Sequence, residues 1–374
     1  MNQTLKVDIQ QNTLYLTTPG VFVARDHLTL QVEIPIYPEN IPLEERTRDK
    51  ATGFRKLSLP IHNLESICAF GPCTITPPAL ALCWEHGVAV NFLSEFGLFQ
   101  ARLTGVADTS VILRRMQFRA ADDPARCFAI ARQIIAGKIQ NGRNSLLRAA
   151  RENPDDAEVQ ALRGVIDFLA AQLQELAIMK MDAATPKAAM DMLRGVEGMA
   201  SQAYFSVFSL MLKQQREAFD FKARTRRPPR DRINCMLSFI YALVRHDCIA
   251  ALTSAGLDPF VGFLHVDRPN RPSLALDLME EFRPWLADRL AITLINRQQF
   301  GPEHCVVRDG GAVELTDNGR KLIIKAYQER KQEQLTHANL EQNLRIAQLF
   351  YVQARILARH IRGELPAYLP FIPK

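Results

Sequence analysis

The chain has 374 residues, of which 47% are hydrophobic and 23% are charged. This composition can bury one large core or two modest ones, and it excludes a disordered tail or a mini-protein. The net charge of +6 favours an anionic partner over a cationic one, although the excess is small for this length. At roughly 150 residues a domain we expect two domains.

The first part of the chain is predicted to be a β-rich domain over residues 1–110. Short runs with period-two alternation are separated by Pro and Gly, as expected for half-buried strands. One run alternates four apolar residues with polar ones: Leu28, Leu30, Val32 and Ile34. The charged segment 38–53 is predicted to be a hairpin loop, and a short helix is expected over Pro77–His86.

Residues 111–374 are predicted to form a larger all-α domain, which makes the fold class α+β. They are rich in Ala, Leu, Arg and Gln, and their apolar residues recur at helical spacing. Asp-Gly and Asn-Gly pairs predict a small hairpin or loop within Val306–Gly319. The proline-containing segment Gly363–Lys374 is predicted to run extended over a surface, because proline lacks the amide donor of a helix.

The seven cysteines indicate reduced thiols in a cytoplasmic protein. They include no Cys-x-x-Cys pair and no Cys/His set at zinc spacing. The first ten residues lack the apolar core of a signal peptide. The longest apolar run, Cys235–Val244, is far shorter than the roughly 20 residues of a membrane span. We therefore expect a soluble protein with no membrane association.

Two segments concentrate the positive charge. Arg102–Arg151 contains ten basic and three acidic residues, and Lys222–Arg232 (KARTRRPPRDR) contains six basic residues and one acid. A solvated helix face explains the first cluster as well as binding to an anionic partner does. The second is rich in Arg, whose planar guanidinium suits phosphate, and its prolines favour an extended conformation. It therefore indicates binding to a phosphate backbone.

A candidate acidic site begins at Glu197. Helical periodicity places this residue inside a helix, yet Gly195 and Gly198 flank it, and each glycine costs about 1 kcal/mol relative to Ala. The glycines suggest that something approaches the backbone closely. The alternative is ordinary helix packing with Glu197 at its rim.

Two further acids and a histidine complete the candidate set. His265 lies in a Gly- and Pro-punctuated loop, where a lone histidine is most often a surface residue. Asp277 and Glu280 are three residues apart on an amphipathic helix, so they lie about 60° from each other around its axis. Glu281 is four residues after Asp277, so spacing alone leaves the pairing open.

Carboxylates with one imidazole suit Mg²⁺ or Mn²⁺, and the histidine favours Mn²⁺. In a basic protein such a set indicates a phosphodiester site, where the metal would polarise the phosphate and activate a water or a 3′-hydroxyl.

Several long motifs resemble the CRISPR adaptation integrase, the larger of the two universal CRISPR-associated proteins that capture spacers, in its type I-C branch. They include RGVEG, RRPPRDRINCMLSFIYALV, DPFVGFLHVDRP and ARHIRGELPAYLPFIPK, and the resemblance covers essentially the whole chain. It implies a metal-dependent DNA endonuclease and integrase. Glu197, His265 and Glu280 match the family's metal ligands, and Asp277 matches its auxiliary catalytic aspartate. Many relatives have aspartate at the position of Glu280.

The resemblance also implies where DNA binds. Arg226, Arg227 and Asn234 match a family segment in which DNA contact and scaffolding of the site are expected. Arg224 and Arg230 belong to the same basic segment and are further DNA-binding candidates.

The implied partners are double-stranded and branched DNA, a second copy of the chain, and a small ferredoxin-like CRISPR-associated protein. The β-domains would form the homodimer, and the small protein would bridge two dimers into a heterohexamer. The implied reaction is attack by the 3′-hydroxyl of a short duplex on a phosphodiester at the leader-repeat boundary. We expect residues 363–374 to contribute to the contact with the small partner.

Two other classes of protein remain possible from the residues alone. A non-enzymatic DNA-binding protein would use the basic clusters for phosphates and the acids only for charge balance. A phosphohydrolase of small molecules would need only a few cations, which the basic surplus of the first cluster disfavours.

Overall fold

The computed structural model describes residues 9–10, 13–38, 41, 45–64, 66–94, 99–103, 111–182, 184–225, 228–338 and 343–373. The chain divides into two compact units, Met1–Asp108 and Thr109–Lys374. The first is strand-rich and the second is mainly helical, which confirms the α+β class.

In its described residues, the first unit contains two sheets and one α-helix. The strands are β1 (Ile9–Gln10), β2 (Thr13–Leu16), β3 (Val21–Asp26), β4 (Thr29–Ile36), β5 (Gly53–Pro60), β6 (Ser66–Phe70), β7 (Cys73–Ile75), β8 (Ala89–Leu93) and β9 (Phe99–Leu103). One sheet has the order β1-β2-β6-β8-β9 and the other β5-β4-β3-β7. The helix, α1 (Pro77–Glu85), spans nearly the predicted range.

Apolar side chains from both sheets form one core. Leu14 and Ile67 contribute from the five-stranded sheet and Val23 and Val32 from the four-stranded sheet. The predicted alternation holds for Leu30, Val32 and Ile34, which are buried, whereas Leu28 lies in the β3–β4 turn and is 58% exposed. β4 and β5 pair in antiparallel register on either side of the predicted hairpin loop.

The second unit is built from nine α-helices in the part of the chain that is described. They are α2 (Val111–Asp122), α3 (Pro124–Glu152), α4 (Asp156–Ile178), α5 (Pro186–Ser206), α6 (Arg232–Ser254), α7 (Ser273–Met279), α8 (Arg289–Asn296), α9 (Asp317–Gln332) and α10 (Ile346–Ile361). Two hairpins interrupt them, β10 (Cys305–Val307) with β11 (Val313–Leu315) and β12 (Gln334–Thr336) with β13 (Asn343–Arg345). The first hairpin was predicted; the second was not, so the domain is not purely helical.

Local sequence explains two long helices of the second unit. α3 begins after Asp123, whose carboxylate accepts the backbone N–H groups of Ala125 and Arg126, and Pro124 occupies its first position. α6 is apolar on nearly all sides. By length and composition it could cross a membrane, but 72% of its most apolar window is buried inside the unit, as in a core helix.

The predicted long helix after Ser273 is broken. α7 ends at Met279, a π-helical segment follows over Arg283–Asp288, and α8 then continues to Asn296. π-helical turns are frequent at functional sites. The break lies next to the predicted metal ligand Glu280.

The C-terminal segment runs without regular structure, but it is packed into the helical unit. Tyr368 and Phe371 are 1% and 0% exposed, and Phe371 contacts the rings of Phe282 and Trp285. An added Cβ at Gly137 of α3 would lie 2.6 Å from Pro370 Cβ, so close packing requires glycine there. The buried residues of this segment therefore face the helical unit, and a partner contact through its exposed residues, such as Glu364 and Leu369, stays a prediction.

Candidate active site

His265 is oriented by Asp277. It lies in the loop between α6 and α7, and its Nδ1 is 2.7 Å from Asp277 Oδ1. Because a carboxylate only accepts hydrogen bonds, we assign the Nδ1 proton to this contact. The other ring nitrogen, Nε2, lies 3.8 Å from Glu280 Oε1. A carboxylate behind the imidazole is the usual support of a metal-binding histidine.

Asp277 also holds the backbone of the histidine loop. It is fully buried, and its carboxylate accepts the N–H groups of Phe263 (2.6 Å), Leu264 (3.0 Å) and His265 (3.0 Å). An added Cβ at Gly262 would lie 2.9 Å from Asp277 Oδ2, so a larger residue would displace the carboxylate. Asp277 thus positions His265, and its auxiliary catalytic role remains a prediction.

Glu280 is a buried, ionised carboxylate. It is 2% exposed; its Oε1 lies 2.9 Å from Arg283 Nη1 and its Oε2 lies 2.7 Å from Lys138 Nζ. Burial raises the pKa of Glu280, but the charges of Arg283, Lys138 and His265 outweigh burial and lower the pKa to about 2. Glu280 is therefore negatively charged at neutral pH.

Glu281 faces away from the histidine. Its carboxyl group accepts hydrogen bonds from the Tyr368 hydroxyl (2.8 Å), the Phe371 N–H (2.6 Å) and the Gln353 amide (3.3 Å). Burial raises its pKa to about 8 despite these donors. Of the two adjacent glutamates that spacing left open, Glu280 faces His265, whereas Glu281 anchors the C-terminal segment.

Glu197 joins the site through Lys138. It lies on α5, and its Oε1 accepts hydrogen bonds from Lys138 Nζ and from Ser201 Oγ (2.9 Å). An added Cβ at Gly195 or Gly198 would meet nothing within 4 Å. No described protein atom makes the close approach that these glycines suggested; they leave open surface beside Glu197.

The residues fit a divalent cation in their chemistry, although a lysine ammonium stands between the carboxylates. Within the described ranges, no three His, Cys, Asp or Glu side chains are close enough together to form a metal-ligand group as they stand. Instead, Glu197 and Glu280 both contact the Lys138 ammonium, and the His265 Nε2 faces Glu280. Two carboxylates that share one cation beside an oriented imidazole are a donor set that suits Mn²⁺ or Mg²⁺.

A cavity of about 520 Å³ adjoins these residues. Glu197, Lys138, Arg224 and Arg283 contribute to its wall. The Arg224 and Arg283 guanidinium groups lie 5.2 Å and 4.9 Å from the centre of the Tyr241 ring. Lys138 and Arg283 are paired with the site carboxylates, so Lys222 and Arg224 of the same wall are the cations that can bind the phosphates of a nucleic acid.

Asp288 is a buried acid that also lines this cavity. Its carboxylate accepts the hydroxyls of Tyr241 (2.6 Å) and Tyr204 (3.1 Å) and is 1% exposed. Burial raises its pKa from 3.8 to about 6, although the two hydroxyls and the charges of Arg224 and Arg283 oppose the rise. The folded chain therefore binds a proton at Asp288 that the unfolded chain releases above about pH 4.

An Asp288→Asn variant should show a weaker decline in stability between pH 4 and pH 7. The raised pKa stabilises the wild type fully below the unfolded value of 3.8, and this contribution is lost as the pH rises through about 6. A pKa rise of this size corresponds to roughly 3 kcal/mol of folding stability. Asparagine does not titrate, so the variant has no such contribution to lose. Urea unfolding of both proteins followed by far-UV circular dichroism would check this; a difference between them that does not change with pH would contradict it.

Comparisons with known proteins identify the family. The family model for the CRISPR associated protein Cas1 matches residues 14–329. The chain belongs to the Cas1 family. A CRISPR-associated endonuclease Cas1 from Moorella thermoacetica is 43% identical over 361 residues, which cover 96% of this chain and 98% of that protein.

Solved structures share the fold of this Cas1 family member. A casposase bound to integration product superposes with a TM-score of 0.78 at 20% identity, covering 96% of this chain and 93% of the casposase chain. A chain of a Cas6-RT-Cas1–Cas2 complex superposes with a TM-score of 0.74 at 24% identity, covering 99% of this chain and 37% of that longer chain. At these identities the similarity shows a common fold.

The predicted DNA-binding residues of this Cas1 family member have different surroundings. Asn234 is fully buried; its side chain hydrogen-bonds Arg224, the Thr225 N–H, the Ala223 carbonyl and Asp231. A side chain without exposed surface cannot contact DNA, so the prediction of DNA contact is wrong for Asn234, which scaffolds the loop before α6 instead.

The arginines of the same segment remain DNA-binding predictions. Arg224 donates to the Thr225 carbonyl (2.7 Å) and Ser238 Oγ (3.2 Å), and it contributes to the cavity wall. Arg230 is exposed. Arg226 and Arg227 lie outside the described residues.

Sequence reasoning missed three residues of the site. Lys138 stood out only as one charge of the first basic cluster, and its contact with Glu197 joins residues 59 positions apart. Tyr241 stood out only as part of an apolar helix face. Arg283 follows Glu280 by three residues, a spacing that brings side chains together on a helix, and that signal could have identified it.

Proposed function

We propose that this Cas1 family member is a metal-dependent DNA endonuclease and integrase of CRISPR spacer acquisition. It would join short duplex DNA to the repeat array by attack of a 3′-hydroxyl on a phosphodiester, and it would also cleave branched DNA. The observation that carries the proposal is that Glu197 and Glu280 share the Lys138 ammonium and that the Asp277-oriented His265 faces Glu280, beside a cavity with basic residues in its wall.

The proposed ligands of Mn²⁺ or Mg²⁺ are Glu197, Glu280 and the Nε2 of His265. When bound, the metal would polarise the phosphate and promote attack by a hydroxyl or water. Asp277 keeps the His265 proton on Nδ1, so that Nε2 remains available as a ligand. Arg283 stays paired with Glu280 and fixes the direction of that carboxylate.

The cations of the cavity support a DNA substrate over a small phosphate ester. Lys222 and Arg224 contribute to its wall, and Arg230 of the same basic segment is exposed. Contacts spread along several phosphates bind a polymer and weaken with salt. A single small phosphate ester would need fewer of them.

The proposed assembly is a homodimer that joins a small ferredoxin-like adaptation protein in a heterohexamer, in the cytoplasm of a prokaryote. The fold shared with a chain of the Cas6-RT-Cas1–Cas2 complex supports such a partner, because that complex includes Cas2. Assignment to the type I-C branch remains part of the proposal and rests on the motifs.

Cleavage of branched DNA tests the proposed function. Purified wild type should cleave it with Mn²⁺ or Mg²⁺ and not in EDTA, and a His265→Ala variant should lose at least about 100-fold in rate, because one proposed ligand is gone. His62→Ala, which removes an exposed imidazole in the first unit, is the matched control and should cleave like wild type. Equal cleavage by wild type and His265→Ala would overturn the site. Salt-sensitive DNA binding without cleavage by any of the proteins would favour the non-enzymatic DNA-binding alternative.

A further inference from the structure

Lys138 is the least expected component of the site. Its ammonium contacts Glu197 Oε1 and lies 2.7 Å from Glu280 Oε2, and its side chain is 14% exposed. The two carboxylates come from different elements, α5 and the turn after α7, while Lys138 lies on α3. One cation therefore connects three separate parts of the helical unit.

The charges of Glu197, Glu280, Lys138 and Arg283 balance without any further ion. Glu197 and Glu280 each contribute one negative charge, and Lys138 and Arg283 each contribute one positive charge within hydrogen-bonding distance of them. A buried carboxylate such as Glu280 requires a cationic partner. Lys138 provides half of this compensation for Glu280 and makes the direct contact with Glu197.

A divalent cation held by the same carboxylates would be too close to the ammonium for both to remain. Each positive charge repels the other strongly in a partly buried site. Lysine has a flexible four-carbon stem, and Lys138 contributes to the wall of the 520 Å³ cavity, so its ammonium has space to leave both carboxylates. Arg283 is fixed over the Tyr241 ring and is less free to move.

We propose that Lys138 is a resident cation of the site, which holds Glu197 and Glu280 together before a divalent cation binds and is displaced from both carboxylates when it does. This inference rests on the proposed metal site. Lys138 is then a positioning residue with two opposite effects. It stabilises the metal-free protein, and it lowers the affinity for the metal, because its ion pairs must break first.

The test compares Mn²⁺ binding to the full chain without DNA, measured by isothermal titration calorimetry and by the electron paramagnetic resonance signal of free Mn²⁺. A Lys138→Met variant should bind Mn²⁺ more tightly than wild type, on the order of tenfold. Its melting temperature in EDTA should be lower, and the rise on adding Mn²⁺ should be larger. If Lys138→Met does not fold, Lys138→Gln removes the charge and keeps a hydrogen-bond donor.

The control is Lys213→Met, which removes another paired lysine at Glu152, away from the site, and should leave Mn²⁺ affinity unchanged. A folded Lys138 variant that binds Mn²⁺ no more tightly than wild type would overturn the role of Lys138 alone. A wild type whose Mn²⁺ binding is absent, or is unchanged by Glu280→Gln, would instead overturn the proposed metal site itself.

Discussion

A Glu280→Gln variant is expected to lose about 10³-fold in metal-dependent DNA cleavage, whereas Glu281→Gln is expected to retain the activity of the wild type. Glu280 is ionised and faces His265 and Lys138, so glutamine removes a charge that the proposed metal would need. Charge stabilisation of this kind accounts for several kcal/mol of a transition state. Glu281 is protonated near neutral pH, and glutamine has nearly the shape of the protonated acid.

The two variants are matched, because they make the same change at adjacent buried positions. Single-turnover cleavage of branched DNA with saturating Mn²⁺ gives the rates, and far-UV circular dichroism checks the fold. Because Glu280→Gln leaves Arg283 without its carboxylate and Lys138 with only that of Glu197, Glu280→Asp serves as a second variant, which keeps the charge and should retain measurable activity. Comparable losses in Glu280→Gln and Glu281→Gln would contradict the assignment.

An Asp277→Asn variant is expected to lose about 3 kcal/mol of folding stability and about 10- to 100-fold in Mn²⁺ affinity. Asp277 accepts three backbone N–H groups and the His265 Nδ1–H, and hydrogen bonds to a charged group contribute about 1.5–3 kcal/mol each. Both carboxylate oxygens of Asp277 accept N–H groups, so in either orientation the NH₂ group of asparagine would face hydrogen-bond donors instead of acceptors. Removal of the support behind a ligand histidine typically costs 10- to 100-fold in metal affinity.

Asp267→Asn is the control for this experiment. Asp267 is exposed and accepts one N–H from the same loop, that of Gly262 at 3.2 Å. The control should change stability by at most about 0.5 kcal/mol and leave Mn²⁺ affinity intact. Urea unfolding and calorimetric titration measure both quantities. An Asp277→Asn protein as stable as the Asp267→Asn protein would show that the buried carboxylate does not hold the loop.

Much of the fold follows from local patterns in the sequence. The alternation of Leu30, Val32 and Ile34 predicted a strand, because the residues on one side of a strand share one face. Helical spacing also predicts one buried face on the amphipathic helix that carries Asp277, and its four apolar residues are all buried: Leu274, Leu278, Phe282 and Trp285. The break of that helix after Met279 was not predicted, because nearly all side chains of residues 274–288 are buried, so the apolar pattern there does not fix the helical period.

The candidate site was only partly predictable. Its acids and histidine could be proposed from residue type, from helical spacing and from the family resemblance. The preference between Glu280 and Glu281 rested on the resemblance alone, because both lie near Asp277 on a helix. The structure separates them: Tyr368 and Phe371 of the C-terminal segment cover Glu281.

By itself, the sequence determined the division into a strand-rich and a helical unit and the residue types available for a phosphodiester site. These properties depend on periodicity, turn residues and local charge, which act over a few residues. Only the tertiary structure decided that Lys138 bridges Glu197 and Glu280, that Asp277 holds His265, and that Asn234 is buried. The physical reason is distance along the chain: helix spacing fixes angles within one element, whereas packing of separate elements fixes which side chains meet.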